Sequence, residues 1–196
     1  MILPIVAYGD PVLKKMGADI PKDYPNLNAL IDNMYETMEQ AYGVGLAAPQ
    51  IGLPIRLFIV DTAPFSEDED LPEEERTFLK SFRKTFINAK ITQEEGDEWA
   101  FNEGCLSIPD VREDVFRKPK ITIAYLDEDF NEHVETFEGL AARVIQHEYD
   151  HIDGVLFTDK LSSLKKRLIK GKLNNISKGK VQVDYRMRFP NQKKRR

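Results

Sequence analysis

Apolar residues recur at helical spacing in three places along the chain. Leu27, Leu30, Ile31, Met34, Tyr35 and Met38 fall three and four apart, which predicts a core helix across residues 26–42. Leu140 and Val144 continue into His147 and His151 at the same spacing, so a second helix carries two histidines on its core-facing stripe. Leu161, Leu164, Leu168 and Ile169 mark one face of a C-terminal helix across residues 162–173, with lysines and arginines on the other. Between the first two helices the pattern changes. Residues 55–60 read as a buried strand, and residues 85–92, 99–102, 111–117, 121–126 and 134–138 as short β-type segments separated by polar turns. The expected fold class is therefore α+β, with antiparallel sheets packed around the histidine-bearing helix.

The flanks are less regular. Residues 1–6 are apolar and extended, and Asp10-Pro11 opens a turn or short helix over residues 11–15. Residues 66–76 hold seven acidic side chains and Pro72, which predicts an exposed, mobile insertion, with a helical turn near residues 73–80. After a break at residues 174–180, residues 181–185 form a candidate edge strand, and residues 189–196 are expected to be disordered.

With 196 residues, 41% of them hydrophobic, the chain suits one domain with its own core. We place that domain at residues 1–175, with a basic tail at 176–196. No apolar run reaches the roughly eighteen residues of a membrane span, and the N-terminus lacks a basic flank and a cleavage signature, which favours a cytoplasmic protein that binds no membrane. The net charge of −5 is unevenly spread: from Lys165 onward lie 13 of the 28 basic residues but only Asp184 of the 33 acidic ones, net +12, against −17 for residues 1–164. Such a basic segment is either a solvated face or a polyanion-binding one.

Three stretches carry candidate chemistry. His147 and His151, four apart on a helix, project from one face and can chelate one metal ion, whereas Glu148 points about 100° away and can reach a water on that metal without coordinating it. The competing reading, two surface histidines on an amphipathic helix, fits poorly with the apolar run Leu140-Ala141-Ala142-Arg143-Val144-Ile145 ahead of them. The only cysteine, Cys105, sits in Glu103-Gly104-Cys105-Leu106-Ser107 and is by itself either a small buried hydrophobe or a thiolate ligand. Joined to the two histidines it makes three protein ligands with an open fourth position. The third stretch, Gly43 to Gly52, holds three glycines and several small side chains, as suits a backbone that a ligand approaches closely, or simply a helix end and a tight turn.

Taken together, Gly43-Val44-Gly45-Leu46-Ala47-Ala48-Pro49-Gln50, Glu103-Gly104-Cys105-Leu106-Ser107 and Gln146-His147-Glu148-Tyr149-Asp150-His151 resemble, in order and spacing, the three signature motifs of the peptide deformylases. The resemblance covers roughly residues 1–175. It implies hydrolysis of the N-formyl group from the formyl-methionine of nascent polypeptides, with release of formate. It further implies one divalent metal ion held by Cys105, His147 and His151, usually ferrous iron in the cell, with zinc, nickel or cobalt as substitutes. Glu148 would carry the proton, and the Gln50 amide and Leu106 N–H would hold the oxyanion. By the same resemblance the Gly45 backbone pairs with an extended substrate, Val44, Leu140 and Val144 line the methionine pocket, and Arg112 stands at its mouth. The acidic insertion and the long tail depart from the family pattern. Some deformylases dock on the ribosome through a basic C-terminal helix, which makes the ribosome a candidate partner; DNA is not one.

Two other readings compete. A zinc metalloprotease also uses HExxH, but usually takes its third ligand downstream as Glu, His or Asp, whereas the cysteine here lies upstream. An RNA- or ribosome-binding module with a structural metal would put the activity in the basic tail instead.

Overall fold

The computed structural model describes residues 1–192. In chain order it contains β1 (Ile5–Val6), α1 (Leu27–Gln40), β2 (Gly45–Ala47), β3 (Leu57–Asp61), α2 (Glu73–Ser81), β4 (Arg83–Glu95), β5 (Trp99–Cys105), β6 (Ile108–Arg117), β7 (Lys120–Leu126), β8 (Glu132–Glu138), α3 (Gly139–Ile152), α4 (Ser163–Ser177) and β9 (Met187–Arg188). Short 3-10 turns punctuate the loops, one of them at Ala48–Ile51. The main sheet is antiparallel, in the order β2-β3-β4-β7-β8. A separate antiparallel hairpin joins β5 to β6, and β1 pairs with β9 in parallel.

Strand β3 shows why the sheet is central. Its side chains alternate between two cores: Phe58 and Val60 pack with Ala141, Ala142 and Ile145 of α3, and Leu57 and Ile59 pack with Ile31, Met34 and Met38 of α1. A strand covered on both faces reads as a continuous apolar run, which is what residues 57–60 are. Phe58 stacks on Phe86 of β4 at 4.7 Å between ring centroids, tying the two strands across one face. A third core forms where Ile108, Val111 and Val115 of β6 meet Leu156, Phe157, Ile169, Leu173 and Ile176.

Helix α3 is buried nearly all round, not along one stripe. Every residue from Leu140 to Glu148 is buried, including Arg143, Gln146 and Glu148. Gly139 starts it at φ +61°, a backbone state that glycine adopts without strain.

Four expectations are corrected. The acidic insertion exposes Glu67 to Asp70 and is helical from Glu73, as expected, but it is not free of the core: Leu71 packs against it, as does Phe65 just ahead, and Arg76 Nε donates to the Ser66 carbonyl at 2.9 Å. Helix α4 runs to Ser177 and buries Ile169, Leu173 and Ile176, whereas Leu164 and Leu168 are 59% and 73% exposed. The strand after α4 is Met187–Arg188, not residues 181–185, and it pairs with Ile5 and Val6. Phe189, expected to be disordered, packs on the third core; Lys193 to Arg196 lie outside the described residues.

Candidate metal centre

Cys105 ends β5, and a tight turn at Leu106 and Ser107 leads into β6. The ladder pairs Cys105 with Ile108 across that turn, so the thiol is fixed by the sheet. His147 and His151 come from α3, one turn apart, with ring centroids 5.1 Å from each other. Cys105 Sγ lies 3.4 Å from His151 Nε2, and one ligand atom from each of the three residues falls within 4.8 Å of the others. No other such cluster of metal-capable side chains occurs among the described residues.

The donor set fits a divalent transition metal: one soft sulfur, two imidazoles and room for a further ligand. His147 Nδ1 lies 2.9 Å from Glu103 Oε2, which leaves Nε2 to face the cluster, the usual arrangement of a carboxylate behind a ligating histidine. Burial would depress the His147 pKa, yet Cys105 and Glu103 raise it well above the ordinary value, whereas burial and the neighbouring His147 hold that of His151 well below it.

Glu103 is the hub behind the centre. Its Oε1 accepts from Arg117 Nε at 2.7 Å and Arg143 Nη1 at 3.1 Å, and its Oε2 from Arg117 Nη2 at 2.9 Å. Burial would raise its pKa, but Arg117 and His147 hold it well below the carboxylate range. Arg117 also donates to Asp150 at 2.7 Å. The buried charges are thus paired and, apart from Arg143 Nε, hydrogen-bonded, the condition under which a protein interior tolerates them.

Glu148 stands beside the ligand cluster without joining it. It is buried, and its Oε2 has no hydrogen-bond partner. Burial is the main reason its pKa rises to about 7, opposed by His147 and reinforced by Glu103. A Cβ at Gly45 would lie 2.5 Å from Glu148 Oε1, so β2 passes against this carboxylate only because residue 45 lacks a side chain. Gln50 is aimed by its own loop: the Ala47 N–H donates to its Oε1 at 2.8 Å, which turns Nε2 toward Cys105 Sγ and Ser107 Oγ, each at 3.4 Å.

The centre forms the floor of a cleft of about 740 Å³. Val44, Gly45, Gln50, Leu106, Arg112 and Val144 line it with Cys105, His147 and Glu148, which brings together every site residue expected from sequence except two. His151 lies behind the floor, almost fully buried, and Leu140 sits in the core one helical turn from Val144 instead of lining the cleft. Arg112 is held at the rim by Asn102, its Nε donating to Asn102 Oδ1 at 2.9 Å. Other wall residues escaped sequence reasoning: Pro64 and Phe65 ahead of the insertion, and Gln182 to Tyr185 after α4. The roles of Glu103 and Arg117 were missed too; Arg143, a charge inside an apolar run, was the one signal that a buried acid must face it.

An α+β fold that gathers a Cys–His–His cluster and an unpartnered buried carboxylate at the floor of a cleft is the architecture of a hydrolase. A family model described as polypeptide deformylase matches residues 2–167. The peptide deformylase of Christiangramia forsetii is 69% identical over 196 residues, covering the whole of both chains. Among solved structures, the peptide deformylase from Legionella pneumophila superposes with a TM-score of 0.77 at 35% identity, covering 92% of this chain and 98% of that one. That from Thermus thermophilus superposes with a TM-score of 0.76 at 38% identity, covering 90% and 98%. The chain belongs to the polypeptide deformylase family of enzymes.

Proposed function

We propose that this enzyme hydrolyses the N-formyl group from the N-terminal formyl-methionine of nascent polypeptides and releases formate, with the reaction centred on Cys105, His147 and His151. The observation that carries this reading is the unpartnered Glu148 carboxylate, buried beside that cluster at the floor of an open cleft. A divalent cation held by the three ligands, ferrous iron in the cell with zinc, nickel or cobalt as substitutes, would supply the Lewis acidity that makes water nucleophilic near neutral pH and polarises the formyl carbonyl.

The protein's own groups do the rest. Glu148 takes the proton of the attacking water and passes it to the leaving amine, a role suited to a carboxylate whose burial lifts its pKa toward neutrality. Gln50 Nε2 and the Leu106 N–H stabilise the developing oxyanion, where losing one such donor costs about 3–4 kcal/mol of barrier. Strand β2 is an edge of the sheet, paired on one side with β3 alone, so an extended peptide can add along its free side through main-chain hydrogen bonds. Val44 and Val144 offer apolar surface for the methionine side chain, and Arg112 at the rim faces the peptide's continuation.

Glu148→Ala is the first test. It should keep its metal but lose about 10²- to 10⁴-fold in turnover; full formate release would overturn the proton-carrier role. Assaying a formyl-methionyl peptide beside an internally cleavable one separates deformylation from proteolysis, since internal cuts without formate would sink the assignment. Elemental analysis of anaerobically purified protein identifies the metal.

No helix among the described residues is long and apolar enough to cross a membrane; we place the enzyme in the cytoplasm, where nascent chains are. The outward face of α4 presents Arg167, Lys170 and Lys172 around the exposed Leu164 and Leu168, and we assign it to ribosome contact. Reversing those three charges should weaken ribosome co-sedimentation and reduce its salt dependence; unchanged binding would remove the assignment.

A further inference from the structure

We infer that Tyr185 is a positioning residue for the deformylation step: its hydroxyl pins the turn that presents the Leu106 N–H to the reacting carbonyl. The Tyr185 O–H donates to the Leu106 carbonyl at 2.8 Å, across 79 residues of sequence. That turn joins Cys105 to β6, and its other carbonyl, that of Ser107, accepts the Tyr8 N–H at 2.8 Å. Segments from the two ends of the described chain therefore hold the two successive peptides of one turn.

The Leu106 carbonyl and N–H belong to adjacent planar peptide units that share the Leu106 Cα, so once the carbonyl is held only the φ and ψ of that one residue separate it from the N–H. On one side of the Leu106 amide, Cys105 is tied to Ile108 by the ladder. On the other, Tyr185 fixes the orientation of the Leu106 carbonyl. The amide between them is left with little freedom to swing out of the cleft. Tyr185 is itself well anchored. Two residues further on, Met187 and Arg188 pair with Ile5 and Val6; the Ile5 N–H donates to the Arg186 carbonyl and the Ala7 N–H to the Arg188 carbonyl, both at 2.9 Å. Its ring packs against the α1-side core, and its neighbours Gln182, Val183 and Asp184 line the cleft. Residues beyond 167, outside the span matched by the family model, thus complete the active-site wall.

This inference rests on the oxyanion role of Leu106 proposed above. The test is Tyr185→Phe in the metal-loaded, full-length enzyme, with rates normalised to metal content. The ring and its packing remain, and only the hydroxyl is lost. The expected result is a roughly five- to tenfold fall in kcat, the size of one neutral hydrogen bond, with KM changed less than about twofold. Amide hydrogen exchange should accelerate at Leu106 and Ser107 but not across the β1–β9 ladder. An unchanged kcat overturns the inference, as does a fall in activity accompanied by faster exchange throughout the fold, which would mark Tyr185 as merely structural. Glu148→Ala run in parallel distinguishes the two levels: if it is inactive while Tyr185→Phe is normal, only the positioning role fails; if it is fully active, the proposed mechanism fails first.

Discussion

Glu103→Gln replaces one oxygen of the network hub by an NH₂ group and leaves the shape unchanged. The carboxylate accepts four hydrogen bonds: two from Arg117, one from Arg143 and one from His147. Glutamine keeps one acceptor oxygen and turns a donor toward two donors on the other side. Two charge-assisted bonds disappear, at about 1.5–3 kcal/mol each, and two buried guanidinium groups lose their common counter-charge. Two such bonds sum to about 3–6 kcal/mol, and breaking a buried pair from one side costs about 3–5, so the expected loss is roughly 3–6 kcal/mol out of a typical total of about 5–15. The assay is denaturant unfolding of both proteins with and without a chelator, because bound metal adds its own linkage. Metal affinity should also fall about 10- to 100-fold as His147 loses its orienting partner. Acid sensitivity supplies a second readout. The folded-state pKa of Glu103 lies below its ordinary 4.5, so the stability it contributes is fully present above that value and is lost as the pH falls. Glu103→Gln should flatten that acid limb. A stability loss under about 1 kcal/mol, with metal retained, would refute the picture of Glu103 as the hub.

Gly45→Ala places a methyl group 2.5 Å from Glu148 Oε1, and the resulting displacement of the base should cut turnover by about 10²-fold in a folded protein; near-normal formate release would show that the contact relaxes. With burial lifting Glu148 to about 7, its ionised, proton-accepting form is lost as pH falls through the folded-state value, and a bound cation moves that loss lower still. The kcat/KM profile should therefore decline on the acid side at or below about pH 7, and a profile flat to about pH 5 would contradict it. In α4, Leu173→Ala should cost about 2–5 kcal/mol in unfolding free energy, but Leu168→Ala no more than about 0.5, because only the first is buried; equal losses would mean that the helix docks through its other face.

What was legible in the sequence was local. The spacing of Leu27 to Met38 encodes α1, and the histidine pair with its intervening glutamate encodes the chemistry of α3, because a helix brings residues three and four apart together. The Glu103 network has no such signature: its members lie on β5, β6 and α3, far apart in the chain, and pair only after the hairpin has packed on the helix. Leu164 and Leu168 misled because, read with Leu161 and Ile169, they continue a plausible stripe, whereas Ile169, Leu173 and Ile176 extend the true face past Asn174. The acidic insertion misled by composition. Seven carboxylates in residues 66–76 outweigh Leu71 in any count, yet Leu71 and the preceding Phe65 pack against the core on either side of the exposed Glu67 to Asp70. The β1–β9 pairing and the Tyr185 contact escaped for the same reason as Glu103, since nothing near residue 185 announces a partner at residue 106.

The parallel pairing of Ile5 and Val6 with Met187 and Arg188 has a consequence for the order in which the molecule is made. A chain leaves the ribosome from its N-terminus, so β1 emerges first and must wait for nearly all of the remaining sequence before its partner exists. The three metal-capable side chains, Cys105, His147 and His151, are complete by residue 151, well before Tyr185. Gln182 to Tyr185, which close one side of the cleft, are thus among the last of the described residues to be made. A purified chain truncated after residue 180 should accordingly bind metal yet release formate slowly from a formyl peptide, and normal turnover would show that the last segment is dispensable.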